Sequence, residues 1–405
     1  MAADLTSYTA LVKRFYPQSK ITDLSVQGNP FLGQVARATK WHGSPLRVAL
    51  QYEATQRRSR TFATAQSHTG TNLYKGFDVE PVKDYALATV DRMSMKIASG
   101  PGAIEDLIKR EVDGALNSVT KNLARSMFRS NSGSIGRISL VASDVLTLSN
   151  AGDVFNFAEG QKICLSDVDG TGSLRNSGAT ATVESVDYDA GTVTLTAALT
   201  STIGAGVAND YIFTEGDHAI GMSGLANWIS ATAPSASDSF WGVNRSANAA
   251  KLAGNRYDAT LLGSVPMEQL LHAGAMKSAK LGGSPDACYL SFSNYEKLLN
   301  SLQSQVRYVD AKSKVADVFF QAAQINGPMG PMKVFPDINC PDNRGYVLSM
   351  NSWLLRTVGE AVHIVEDDIS GGSLRDASAD AFSTRIASYG NLVCDAPGHN
   401  TVILF

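Results

Sequence analysis

The chain has 405 residues, 44% of them hydrophobic and 18% charged, with a formal net charge of −3. That length suggests two to three domains, and it is enough to bury sizeable cores. No stretch approaches the ~18 consecutive apolar residues of a membrane span, and Met1–Thr6 has neither the basic start nor the apolar run of a secretory signal. A protein made and assembled in a cytoplasm, without a membrane partner, is expected.

The charge is unevenly spread. Residues 1–60 hold nine Lys and Arg against three acids, so this segment is +6 and the remainder −9. A basic arm on an acidic body points to two surfaces with different partners. The four cysteines, Cys164, Cys288, Cys340 and Cys394, are far apart, form no Cys-x-x-Cys and sit in no Cys/His cluster. They are expected to be buried bystander thiols, not zinc ligands.

Residues 1–40 are punctuated by Pro17, Gly28, Pro30 and Gly33 and read as an extended arm, with short helices around Thr9–Phe15 and Asn29–Ala38. From 44 to 90 the pattern is that of strands. Leu46, Val48 and Leu50 alternate with polar or small residues, and apolar alternation returns from Phe77 to Val90. Between them lies a polar stretch, Ala54–Asn72. Two strands with a long polar tip make a protruding hairpin. A lone hairpin is not stable in water, so it is expected to lie on something else, most simply a neighbouring copy.

The clearest helix is 101–129. Ser99 suits the cap and Pro101 the first turn, and Ile104, Leu107, Ile108, Val112, Leu116, Val119, Leu123 and Met127 keep three-and-four spacing. Such a helix is about 40 Å long. Gly114 in its middle costs about 1 kcal/mol relative to alanine, which close packing against another element would explain. Residues 137–215 change to short strand-like runs, at Ile138–Val141, Val145–Leu148, Gln161–Leu165, Ala179–Val186, Thr192–Leu195 and Tyr211–Thr214, separated by turn clusters. They predict a small all-β barrel or sandwich inserted into the chain. Beyond it, helices are expected at Pro266–Leu281, Ser293–Leu302 and Val315–Ala323. Strands are expected at Ala287–Ser291, Met332–Phe335, Tyr346–Met350, Val362–Val365, Ser383–Leu392 and Thr401–Phe405.

Nothing in the chain spells out chemistry. Asp167–Ser173 resembles a calcium loop but has Gly170 at the fourth position and Gly178 at the twelfth, where an EF-hand needs glycine at the sixth and glutamate at the twelfth. A strand-to-strand turn is the better reading. Six isolated histidines form no His-Glu-x-x-His, and there is no Gly-x-Ser-x-Gly elbow. No catalytic, metal or cofactor site is predicted. Glu366, Asp367 and Asp368 form an acidic run suited to pairing with basic groups. Arg57, Arg58 and Arg60 open the polar tip. The tip could be a solvated loop or a phosphate-binding one, but the aromatic interleaving of a single-strand binder is missing, with only Phe62 and Tyr74 nearby. Docking on an acidic patch of a neighbouring subunit is favoured.

The last third carries Pro285–Ser291, Gly327-Pro328-Met329-Gly330-Pro331-Met332-Lys333-Val334, Asp380-Ala381-Phe382, Arg385-Ile386 and Ala396-Pro397. With the order arm, hairpin, long helix, mixed α/β region and terminal strands, this resembles the major capsid proteins of tailed phages with the Hong Kong 97-type shell fold. The resemblance implies an α+β fold and six regions. These are an N-terminal arm (1–43), an extended loop hairpin (44–78), a peripheral domain with the spine helix (79–136), an inserted β-domain (137–216), an axial domain (217–355) and the peripheral C-terminal strands (356–405). It further implies a homo-oligomer of hexamers and pentamers, forming the icosahedral shell of a virion around double-stranded DNA, with scaffolding, portal and decoration proteins as partners. Lys13, Arg14 and Lys20 would form a lumen-facing basic arm, and Arg57, Arg58 and Arg60 would meet Glu366, Asp367 and Asp368 of an adjacent copy. Subunit crosslinking through a lysine of the extended loop is not expected, because 54–72 contains no lysine. An encapsulin-like compartment shell is the alternative within this fold. A hydrolase or carbohydrate-binding protein using the β unit is the alternative outside it. That one would need clustered rings, and only Phe155, Phe157, Tyr188, Tyr211 and Phe213 are available, several of them expected in the core.

Overall fold

The computed structural model describes residues 28–43, 45–55, 57–68, 70–93, 107–204, 208–260, 262–263, 265–302, 307–312, 319–365, 373–375 and 380–405. The described chain opens with a one-turn helix, Pro30–Gln34, started by proline, followed by β1 (Ala36–Ala38). The helix expected to continue to Ala38 stops because Ala36–Ala38 pairs in parallel with a later strand at Leu354–Arg356. The helix expected at Thr9–Phe15 lies outside the described residues.

β2 (Leu46–Glu53) and β3 (Leu73–Val79) form the antiparallel hairpin, from Leu46 opposite Val79 to Glu53 opposite Leu73, with a short helix, Phe62–Ser67, in its tip. The inward residues Leu46, Val48, Leu50 and Tyr52 pack on the chain's own central core. The strands of the hairpin therefore rest on their own chain, and only the tip is left over. β4 (Val82–Asp91) runs on into a second sheet. The described part of the long helix is Leu107–Ser126, and it ends with Val119, Leu123 and Ala124 buried, followed by buried Met127 and Phe128. A Cβ on Gly114 would meet nothing within 4 Å, so the close packing expected there is not found among the described residues, and none of them explains the glycine.

Six strands then close a barrel: β5 (Ser134–Ala142), β6 (Val145–Leu148), β7 (Lys162–Ser166), β8 (Ala181–Asp187), β9 (Thr192–Leu195) and β10 (Tyr211–Thr214), in the order β10-β5-β6-β9-β8-β7. It has its own core of Ile135, Ile138, Leu146, Val154, Phe157, Ile163 and their neighbours. Asp167–Ser173 is a turn after β7.

A seven-stranded sheet follows, built from β11 (Asn255–Asp258), β12 (Ala287–Leu290), β13 (Arg307–Lys312), β14 (Phe319–Gly327), β15 (Gly330–Pro336), β16 (Arg344–Leu348) and the last strand, β21 (Thr401–Leu404). Its order is β11-β21-β16-β12-β15-β14-β13, and helices Met267–Lys280 and Phe292–Leu302 accompany it. The helix expected at Val315–Ala323 is corrected. From Phe319 the chain is strand, because β14 turns tightly into β15 with Gly327 opposite Gly330, and this ladder overrides local propensity; residues 313–318 lie outside the description. Between β16 and β21 the chain makes β17 (Trp353–Thr357), β18 (His363–Ile364), β19 (Ser373–Arg375) and the 14-residue β20 (Ala381–Cys394). β20 is the hub of the other large sheet. It pairs with β17, β18, β19 and, over ten residues, with β4.

Successive side chains of a strand point to opposite faces, and β12 uses both. Ala287 and Tyr289 enter the central core, while Cys288 and Leu290 enter a second core beneath the two helices. The arm is locked onto this sheet. Phe31 is fully buried, its ring 5.2 Å from Phe128 and 5.0 Å from Tyr289. Its backbone N–H donates to the Asp337 carboxylate at 3.2 Å. Asp337 also accepts from Asn339 N at 2.9 Å.

Burial pushes the Asp337 carboxyl up from 3.8 to about 6, against the pull of these hydrogen bonds. A raised folded value favours the fold below pH 3.8, and that contribution is lost as the pH rises through 6. The difference is worth on the order of 3 kcal/mol. Urea midpoints are therefore expected to rise between pH 7.5 and pH 5. In Asp337→Asn this rise should shrink, with lower stability at pH 5.

Candidate assembly surfaces

The tip, 54–72, carries three arginines and no acid. Arg57, Arg58 and Arg60 are exposed and make no ion pair among the described residues. Phe62 starts the tip helix and is 82% exposed. At the base the hairpin is held by charge as well as by packing: Arg47 grips Asp78 through two 2.7 Å bonds, and Lys251 reaches Glu53 at 2.7 Å. The acids expected to receive the arginines, Glu366, Asp367 and Asp368, lie outside the described residues. So do Lys13, Arg14 and Lys20.

The barrel joins the body through a neck of two chain passes. Gly221 N donates to Asn131 O at 2.9 Å, Ala219 N to Ser132 O at 2.8 Å and Leu225 N to Met127 O at 2.7 Å. A Cβ on Gly224 would collide with the carbonyl oxygens of Ser126, Met127 and Arg129, so only glycine lets the passes approach. Charges sit around this neck. Arg129 pairs with Asp153 of the barrel, both mostly buried; burial works against the Arg129 charge, and the Asp153 carboxylate outweighs it. Asn122 donates to Asp84 at 2.6 Å and accepts from Arg125. Burial lowers Arg125 to about 10 and raises Asp84. Burial and the Asp84 charge raise Asp217. Asp84, Asn122, Arg125, Arg129 and Asp217 line a cavity of about 60 Å³.

The barrel is acidic in composition. Ser134–Thr214 holds nine acids against three basic residues. Phe155 and Tyr188 stack with centroids 5.3 Å apart and planes at 26°, Tyr188 54% and Phe155 36% exposed, at the mouth of a cleft that Phe155 lines with Ser291 and Phe292 of the body. Phe157 and Phe213, by contrast, are core. Sequence pattern alone does not separate these two pairs, and Phe62 is visible in the sequence only as a lone ring in a polar stretch.

All four cysteines are free and buried. Burial raises each thiol, Cys288 to about 12. A thiol is nucleophilic only as the thiolate, so none is poised for chemistry. Among the described residues no three His, Cys, Asp or Glu groups gather as metal ligands. No described helix is long and apolar enough to cross a membrane.

Across 99% of this chain and 98% of the other, the structure superposes on a subunit of the cyanophage A-1(L) capsid, with a TM-score of 0.52 and 11% identity. The chain has a phage major capsid protein fold. A subunit of the SrpI encapsulin complex of Synechococcus elongatus PCC 7942 aligns with a TM-score of 0.49 at 8% identity, over 100% of this chain and 95% of its own. A Mycobacterium phage Ogopogo chain aligns with 0.47 at 10%, over 100% and 99%. No protein-family model and no curated protein sequence matches. The fold is thus shared with the cyanophage capsid subunit at only 11% sequence identity.

With every thiol buried, the native protein is expected to react with less than one equivalent of an aromatic disulfide reagent over an hour at pH 8. All four thiols should react after denaturation. Rapid native reaction of even one would contradict the burial described.

Proposed function

We propose that the chain is the major capsid protein of a tailed phage, building an icosahedral shell of hexamers and pentamers around double-stranded DNA. The observation that carries the reading is the capsid fold matched over nearly the whole chain, joined to a hairpin tip that presents three arginines and an exposed phenylalanine to solvent. A tip of that kind is complete only against another molecule, and closed symmetric assembly supplies one to every copy. In this reading the β20 sheet and the long helix belong to the peripheral domain (79–136 and 356–405), the seven-stranded sheet to the axial domain (217–355), and the barrel is the inserted domain (137–216).

The tip arginines Arg57, Arg58 and Arg60 dock on an acidic surface of an adjacent copy, the 366–368 run being one candidate receiver. The basic residues Lys13, Arg14 and Lys20 face the lumen and offset part of the phosphate charge of the packaged genome. DNA is held by non-specific electrostatics. Scaffolding, portal and decoration proteins are the natural further partners. The protein does no catalysis, needs no cofactor, and acts in the virion after assembly in the host cytoplasm.

Expressed with its neighbouring genes, the chain is expected to give closed particles of megadalton mass by light scattering and negative-stain microscopy. A chain that stays monomeric or dimeric under those conditions overturns the proposal. Packaged enzyme in place of DNA would move the assignment to a compartment shell.

Deleting Met1–Lys20 is expected to lower the DNA content per particle, or the particle yield. Full particles at wild-type yield would remove the lumen role of the arm.

A further inference from the structure

We propose that the tip of one copy seats on the barrel of a neighbouring copy, with Phe62 against the Phe155–Tyr188 ring stack and the tip arginines among Glu184, Asp187 and Asp189. This rests on the shell-subunit reading and names the surface that receives the tip.

Three independent features converge. The first is charge. The tip is +3 with no acid of its own, and the barrel is −6. Glu184, Asp187 and Asp189 are exposed and make no ion pair among the described residues. The second is apolar surface. Phe62 is the most exposed large hydrophobic residue described, and Tyr188 and Phe155 are the exposed rings of the barrel. A solvent-facing ring on each side, ringed by opposite charge, is the anatomy of an anchor in a polar rim. The third is preorganisation. Tyr188 stands in the β8–β9 turn, where Asp187 Oδ1 accepts from the N–H groups of Asp189 and Ala190, both at 3.0 Å. The rings are fixed by their stack. On the tip, Thr61 Oγ1 bonds Thr64 Oγ1 at 2.7 Å across the first turn of the helix that begins with Phe62. The backbone on both sides is thus held before docking, which lowers the ordering cost to that of the side chains.

The competing receiver, Glu366-Asp367-Asp368, offers charge without rings. No Phe, Tyr, Trp or His occurs in 364–381. Arginine can stack on an aromatic face as well as pair with a carboxylate, so the barrel answers both halves of the tip and the acidic run only one.

Two singly substituted chains, Phe62→Cys and Tyr188→Cys, would be co-expressed, and their particles mildly oxidised. The four native cysteines are buried, and a disulfide forms only where Cα atoms approach within about 7 Å. A non-reducing gel is expected to show a band at twice the subunit mass in more than a third of the protein, absent from either variant alone. A parallel pair, Phe62→Cys with Asp368→Cys, should give less than a tenth of that. Particles that form without the first cross-link, or with only the second, overturn the docking and leave the shell reading standing. Failure of the unsubstituted chain to form particles overturns both.

Charge reversal guards against misplaced cysteines. Arg57→Glu with Arg58→Glu and Arg60→Glu is expected to cut particle yield at least tenfold. Adding Glu184→Lys and Asp189→Lys, with Asp187 kept to hold the turn, should recover at least half of it. Undiminished yield with the tip reversed, or no recovery with both reversed, counts against the proposal.

Discussion

The contact on which the rest depends is the cluster of rings around Phe31. Phe31, Phe128, Tyr289, Tyr346 and Phe335 come from the arm, the end of the long helix and three strands of the seven-stranded sheet, and their centroids lie 5.0–6.2 Å apart. Each buries a large apolar area and keeps tilted or offset geometry with its neighbours. Without it the arm helix, five residues long, would have no reason to form, since so short a helix does not stand alone in water. The cluster carries polar ends as well. Tyr289 Oη donates to Gln34 at 3.1 Å, and Asp337 holds the Phe31 N–H. The arm is thus docked by apolar burial and aligned by hydrogen bonds.

A similar division of labour fixes the two large sheets to each other. Trp353 is buried with its Nε1 donating to Asn400 Oδ1 at 3.0 Å, and Asn400 also accepts from Ser349 N at 2.9 Å and donates to Ala396 O at 2.9 Å. Trp228 donates to Leu392 O at 2.8 Å. Asn391 accepts from Ser223 N at 3.1 Å and donates to Glu80 O at 2.9 Å. Two buried asparagines, each with both ends satisfied, therefore set the position of β20 between the neck and the seven-stranded sheet. An asparagine in such a place is costly to replace, because the buried N–H groups of Ser223, Ser349 and the Trp353 indole would be left unpaired.

Much of this architecture is legible in the chain where one face of an element is buried. Strands such as β6 and β9 alternate because one side lies in the barrel core, and short apolar runs between turn clusters mark the others to within a few residues. The helices Met267–Lys280 and Phe292–Leu302 are readable for the same reason. Elements that owe their form to distant partners are not. Ala36–Ala38 is a strand only because Leu354–Arg356 lies beside it. Phe319–Ala323 reads as the end of a helix until it is paired with β13 and β15. Asn255–Asp258 is too short and polar to declare itself away from β21. At the surfaces, the three tip arginines stand out by composition. The ring stack of Phe155 and Tyr188 does not, since those residues lie 33 apart in sequence and meet only through barrel closure.

The neck has a consequence for how such a chain can change. Phe213 is paired with Ser134, and Gly221 is bonded to Asn131, so the chain leaves the body and returns to it at the same point. To the body, the whole barrel is a closed loop whose length scarcely matters, because each doubling of a loop costs only about 0.6 kcal/mol. The barrel, with a core of its own, brings its own stability. A domain attached in this way can be enlarged or exchanged with little cost to the body's backbone, provided the acid that answers buried Arg129 is kept.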